Sequence, residues 1–299
     1  MKNRRILLTL CVLLLLTVFA SAVTQAEVAQ DAEAATHDYD SASYQVVDTY
    51  DYSDFQIVQI DLGVLSHYSY MLISDGECLV VDPGRDIDVY VEIASSENVQ
   101  ITGVWLSHSH ADFVAGHIEF AQSLQVPIRI SEKANAGYDP IELKDNDELT
   151  LGDAHIQFIE TPGHTPDSMC ALISSESDPE KPLVLLTGDT LFVGSVGRPD
   201  LLGEGMAAST LASMMFDTWT KKLSLLPDDV AILPAHGAGS LCGAHLSDSP
   251  LSTIGQERVE NPYLQYSSRG QFIAAILEGV PTAPQYFAHN AVLNREGPP

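Results

Sequence analysis

The sequence predicts an α/β fold in which two mixed β-sheets pack as a sandwich flanked by helices. Three observations predict it. Short β-branched and aromatic runs are interspersed with segments of helical apolar spacing; they do so in two successive sets; and each histidine cluster falls directly after a strand-like run. Sheets faced by helices are a layered solution that buries both kinds of element. Loops leaving such a scaffold are where functional side chains collect.

The chain has 299 residues and opens MKNRRILLTLCVLLLLTVFASA. Lys2, Arg4 and Arg5 precede an apolar run from Ile6 to about Phe19, and Ala20-Ser21-Ala22 follows, the pattern of a cleavable secretory signal over residues 1–26. The run is shorter than the ~20 residues of a spanning helix, so an exported protein, periplasmic or secreted, is expected, with no stable membrane insertion after cleavage. Residues 27–53 are rich in Ala, Asp, Ser and Tyr without apolar periodicity and read as a flexible acidic leader. The formal charge of −27 disfavours nucleic acid and anionic membranes as partners.

Residues 54–247 form the expected catalytic domain. FQIVQIDL, YMLIS and CLVVD read as strands, with Asp75-Gly76 as a hairpin turn between the last two. Ile87 to Ala94 reads as a helix, ITGVWLS as a buried strand, Val114 to Leu124 as a second helix, and VPIRI as a further strand. Strand-like runs follow near Glu148–Leu151, His155–Ile159, Ser168–Ile173 and Leu183–Leu186, then a helix over Ala207–Leu226 and a last strand in VAILPAH. Residues 248–299 read as an extension of the same domain with one helix, Gln271 to Leu277. Beyond the signal the cysteines are Cys78, Cys170 and Cys242, an odd number that does not indicate a disulfide framework. Cys78 and Cys170 lie in strand-like apolar runs.

Four segments carry the chemistry: SHSHADFVAGH around His108, His110 and Asp112; TPGHTPDS around His164; TGDTLF around Asp189; and PAHG around His236. Alternate residues of an extended segment point the same way, so His108-Ser-His110 presents two imidazoles together. Imidazole with carboxylate suits zinc or iron rather than calcium or magnesium. His108, His110, His164 and Asp189 would build one site. Asp112, a neighbouring His, Asp189 and His236 would build a second, but the residue after Asp112 is Phe113, so a single metal is expected.

In this order the segments resemble the metallo-β-lactamase fold, an αβ/βα sandwich, over roughly Phe55 to Pro299. HADFVAGH, GDTLFVGSVGRPDLLG and PAHGAGSLCG with STIGQER and NP resemble the branch that contains persulfide dioxygenases, often fused to rhodanese domains. That resemblance implies one Fe(II) held by His108, His164 and Asp189, with His110, Asp112 and His236 orienting ligands and reactants. It implies a low-molecular-weight persulfide as substrate, oxidised by oxygen to sulfite. No rhodanese domain is expected before the chain stops at NREGPP, so sulfur relay would need a separate sulfurtransferase.

The alternative is an exported zinc hydrolase of a lactam, lactone or thioester. His108, His110 and His164 would then hold Zn(II), and Asp112 would orient the attacking water. Cys242, close after His236, reads equally as a buried small side chain or as a sulfur carrier; the second role requires exposure and a lowered pKa. Arg198 in GRPD could meet an anionic substrate or pair with Asp200. His117 reads as a helix-capping or packing residue. His37, His67, His155, His245 and His289 lack supporting neighbours and are assigned no role.

Overall fold

The computed structural model describes residues 44–299 apart from 64, 202–205, 245 and 281. The signal sequence, residues 1–26, and residues 27–43 of the leader lie outside the described residues. Among the described residues no helix is long and apolar enough to cross a membrane.

The first sheet has seven strands in chain order. These are β1 (Gln45–Asp51), β2 (Gln56–Asp61), β3 (Tyr68–Ser74), β4 (Glu77–Val81), β5 (Gln100–Trp105), β6 (Ile128–Ser131) and β7 (Ile141–Leu143). Pairing is antiparallel from β1 to β4 and parallel from β4 to β7. The Asp75-Gly76 turn joins β3 to β4 with φ of 43° and 80°, the left-handed pair that a two-residue hairpin favours. Helices α1 (Asp88–Ser96) and α2 (His117–Leu124) lead into β5 and β6.

The second sheet contains β8 (Glu148–Leu151), β9 (Ala154–Glu160), β10 (Met169–Ser175), β11 (Val184–Gly188), β14 (Ala231–Pro234) and β15 (Ser252–Thr253), ordered β15-β14-β11-β10-β9-β8. It too is mixed, with β11 and β14 parallel and the other pairs antiparallel. A ribbon of β12 (Leu191–Phe192) and β13 (Ser195–Val196) lies between β11 and helix α3 (Ala208–Lys221) in the chain. The tail adds α4 (Ile254–Glu260), α5 (Arg269–Leu277) and α6 (Gln285–Glu296).

Strand alternation divides the apolar residues among three layers. Ile57, Leu72, Leu79 and Trp105 of the first sheet meet Ile156, Phe158, Ala171 and Leu186 of the second in one buried cluster. The opposite face of the first sheet, with Val58, Val80 and Val104, is covered by Tyr90 and Phe120. The opposite face of the second, with Cys170, Leu185 and Ile232, is covered by Met215, Trp219 and Phe272. The fold is therefore the predicted sandwich of two mixed sheets flanked by helices. Cys78 and Cys170 belong to the outer-face clusters.

Two readings need correction. Residues 45–51, assigned to the leader, form the edge strand β1: its backbone pairs with β2 although nearly all its side chains are exposed. Backbone pairing alone recruits it, so no apolar alternation is needed. The tail has three helices rather than one. Of these, α6 docks through Phe287 and Asn294, its only two buried residues, too few to write an apolar stripe.

Candidate metal centre

The metal-loop segment leaves the C-terminal end of β5, in the middle of the parallel part of the first sheet. It is pinned from several sides. Ser107 N donates to Asp82 Oδ1 at 2.7 Å. Ser109 N and Oγ both donate to Asp167 Oδ2 at 2.9 Å. At the far end Asn294 of α6 donates to the carbonyls of His110 and Phe113, each at 2.8 Å, and accepts from Ala115 N at 2.9 Å. Gly188, at the end of β11, packs against the loop's start at a φ of 50°; a Cβ there would lie 2.6 Å from Ser107 Oγ. Glycine tolerates both the left-handed backbone and the close approach.

His108, His164 and Asp189 each offer a ligand atom within 4.8 Å of the others, and all three are buried. The supporting bonds decide which imidazole nitrogen is free. His164 Nδ1 donates to Arg198 O at 2.9 Å, because a carbonyl only accepts, and His108 Nδ1 lies 3.0 Å from Ser107 Oγ. Both Nε2 atoms therefore face Asp189 Oδ2, at 4.0 Å from His108 and 3.4 Å from His164. Orientation of a ligating imidazole through its other nitrogen is how such sites are held rigid. His108 Nε2 and both Asp189 carboxylate oxygens are buried without hydrogen-bond partners. Two imidazoles and a carboxylate with those atoms converging fit a first-row divalent metal.

His110 does not join this group. Its Nε2 lies 2.9 Å from Asp82 Oδ1 and its Nδ1 lies 4.0 Å from Asp112 Oδ1. The ligand atoms of His108, His110 and His164 therefore do not converge as one group among the described residues. On the other side of Asp189, His236 Nε2 lies 3.4 Å from Oδ1 and 3.3 Å from Asp112 Oδ2. Asp189 thus faces two clusters, one through each oxygen.

The electrostatics follow from burial beside carboxylates. Burial and the neighbouring imidazole of His110 push His108 down to about 3, and burial pushes His110 down to about 3. Both are therefore held in the neutral form. Burial would lower His236 as well, but Asp189 and Asp112 overcome it and raise the imidazole to about 9. Burial would raise Asp189, yet the surrounding imidazoles, His236 foremost, hold it well below the usual carboxylate range.

Cys242 does lie beside the centre, with a ligand atom within 4.8 Å of those of Asp189 and His236. It is only 1% exposed, and burial with the nearby Asp112 and Asp189 carboxylates pushes its thiol well above the usual value. A sulfur carrier requires the opposite on both counts. Arg198 is buried and pairs with Asp200 through Nε at 2.8 Å and Nη2 at 2.7 Å, which fixes the loop whose carbonyl orients His164. His117 is the buried first residue of α2, its ring centroid 5.0 Å from that of Tyr138.

Three participants escaped the sequence reading. Asp82 follows the buried strand in VVDPG, and a carboxylate directly after such a strand was the available signal. Asn294 carried none. His67, in LSHYSY, has a buried ring 4.9 Å from that of His236 and 4.1 Å from that of Phe113, centroid to centroid.

The family model described as the metallo-beta-lactamase superfamily matches residues 62–237, more than half of the chain, with His108, Asp112, His164, Asp189 and His236 inside the match. The chain belongs to the metallo-beta-lactamase superfamily. Within the superfamily, a solved metallo-beta-lactamase from Staphylococcus aureus subsp. aureus COL is 31% identical, with a TM-score of 0.75, covering 81% of this chain and 73% of that one. The structure of ETHE1 from Myxococcus xanthus is 24% identical, with a TM-score of 0.68, covering 80% of this chain and 98% of that one. The hydroxyacylglutathione hydrolase of Citrobacter koseri is 34% identical over 165 residues, 54% of this chain and 58% of the relative.

Proposed function

We propose that this superfamily member is an exported persulfide dioxygenase that uses iron(II) held by His108, His164 and Asp189. One observation carries the reading: these three residues converge as two imidazoles and one carboxylate, a group that His110 does not join. Two histidines and one carboxylate on one face is the arrangement of oxygen-activating non-haem iron. The resemblance of HADFVAGH and GDTLFVGSVGRPDLLG to the persulfide dioxygenase branch supports the same choice.

His108, His164 and Asp189 would hold iron(II), which would supply the redox chemistry that joins oxygen to a persulfide sulfur, largely a proximity effect. The reaction consumes one O2 and one water per persulfide and yields the thiol and sulfite. Arg198 O and Ser107 Oγ keep the two imidazoles turned toward Asp189. Asp112 and His236 line the adjoining space, a carboxylate and an imidazole placed to orient the water that completes sulfite formation. All these side chains are buried.

Zinc-dependent hydrolysis is the second reading, favoured by the hydroxyacylglutathione hydrolase relative and by the cluster on the far side of Asp189. The deciding measurement is oxygen uptake by protein loaded anaerobically with iron(II) on glutathione persulfide, with metal-free and zinc-loaded protein as controls. Iron-dependent uptake with stoichiometric sulfite is expected. A folded, iron-occupied protein that consumes no oxygen would reject the reading and favour thioester or lactam hydrolysis.

A further inference from the structure

Phe113 stands where a second metal position would take its histidine, yet the structure brings another histidine to that place from the loop before β3. His67 precedes β3, and its backbone bridges that of His236 across the two sheets. Tyr68 N donates to Ala235 O at 2.7 Å and Gly237 N to Ser66 O at 3.0 Å, so the loop before β3 and the loop after β14 are locked together. One ligand atom each from His67, Asp112 and His236 lies within 4.8 Å of the others, and all three residues are buried.

The tautomer of His67 is set by its surroundings. Its Nε2 lies 3.1 Å from Asp82 O, and a carbonyl can only accept, so Nε2 carries the proton. Nδ1 is then a bare lone pair, and it is buried with no donor to satisfy it. An unpaired buried acceptor loses the full free energy of its desolvation unless something supplies positive charge. Both oxygens of Asp112 and His236 Nε2 are likewise without hydrogen-bond partners. Phe113 packs against the His67 ring with an interplanar angle of 41°, holding that imidazole against the cluster.

We infer that His67, Asp112 and His236 form a second position for a first-row divalent metal, linked to the first through the Oδ1 of Asp189. Phe113 thus supports a replacement ligand instead of merely deleting one. With an ion at this position, Asp112 and His236 would act on water through that ion instead of directly. Occupancy of this position decides whether the centre works as a lone triad or as a bridged pair, the arrangement suited to activating water between two ions.

The test is metal counting. Metal-free protein is saturated with Zn(II), desalted to remove ions held loosely by the acidic surface, and analysed for zinc per chain. Two equivalents are expected for the wild type and one for His67→Ala and His67→Gln. Manganese(II) provides an independent readout: a spin-coupled pair in the wild type and an isolated ion in either variant. A folded wild type that retains one equivalent and shows an isolated manganese signal at full loading overturns the inference, whether or not the variants fold. Oxygen uptake is a separate arm: two ions without uptake sink the dioxygenase reading alone, and uptake with one ion sinks this inference alone.

Discussion

Replacing Asn294 with alanine isolates the contribution of the C-terminal helix to the metal centre. The carboxamide is fully buried and makes three short bonds to the loop: two donations, to His110 O and Phe113 O, and one acceptance, from Ala115 N. Asn294→Ala leaves two carbonyls and one amide without those partners in a buried place. Each orphaned group is worth about 1–3 kcal/mol, and neighbouring losses are not fully additive, so about 3–5 kcal/mol of stability should go. That is a large share of the ~5–15 kcal/mol typical of a folded domain. Urea unfolding of the metal-free protein measures it as a lower midpoint with an unchanged slope. Metal affinity should fall as well, roughly 10–100-fold, because the loop bearing His108 is no longer held. Asn294→Asp should be no better at neutral pH, since its carboxylate would face two carbonyl oxygens, and should partly recover on acidification as the carboxyl regains a proton to donate. A stability loss below about 1 kcal/mol in Asn294→Ala would refute the view that these three bonds hold the loop.

His164→Ala removes an imidazole from the triad and should abolish metal retention at that position through desalting, whereas Cys242→Ser should leave the triad metal in place; full occupancy in the His164 variant would sink the ligand assignment. His117 is pushed down by burial to about 4, from an ordinary value of 6.5, so the folded state prefers its neutral form. Its contribution is present above pH 6.5 and is lost as pH falls toward 4, on the order of 3 kcal/mol over that window. Compared with His117→Gln in metal-free urea titrations, the wild type should lose that much more stability between those pH values; parallel curves would show that the ring is not held neutral.

The parts of the fold that were legible in the sequence are those where one local rule decides the outcome. Asp75-Gly76 supplies two left-handed residues between apolar runs, and β3 and β4 meet there. The histidine clusters are readable because spacing and flanking glycines mark loops at strand ends. What was not legible depends on partners distant in sequence. β1 carries no apolar alternation and is held by backbone pairing to β2. α6 carries one buried phenylalanine and one buried asparagine. The structure places His67 beside His236 only because β3 and β14 belong to different sheets that meet at this edge, 169 residues apart in number but bridged in space. A lone histidine in LSHYSY states none of this. Phe113 shows the converse problem: the sequence records the missing side chain, and only the packing reveals the imidazole tilted against it.

The bond from Asn294 to His110 also sets an order of events during synthesis. The two residues are 184 positions apart, so the loop bearing the first histidines leaves the ribosome long before the side chain that clamps it. At translation speeds of ~5–20 residues per second that interval is roughly 10–40 s. Through it the nascent chain carries exposed imidazoles on an unbraced loop, able to pick up metal but not to hold it in the finished geometry. Metal met in that interval would find a loop that still lacks the two Asn294 bonds.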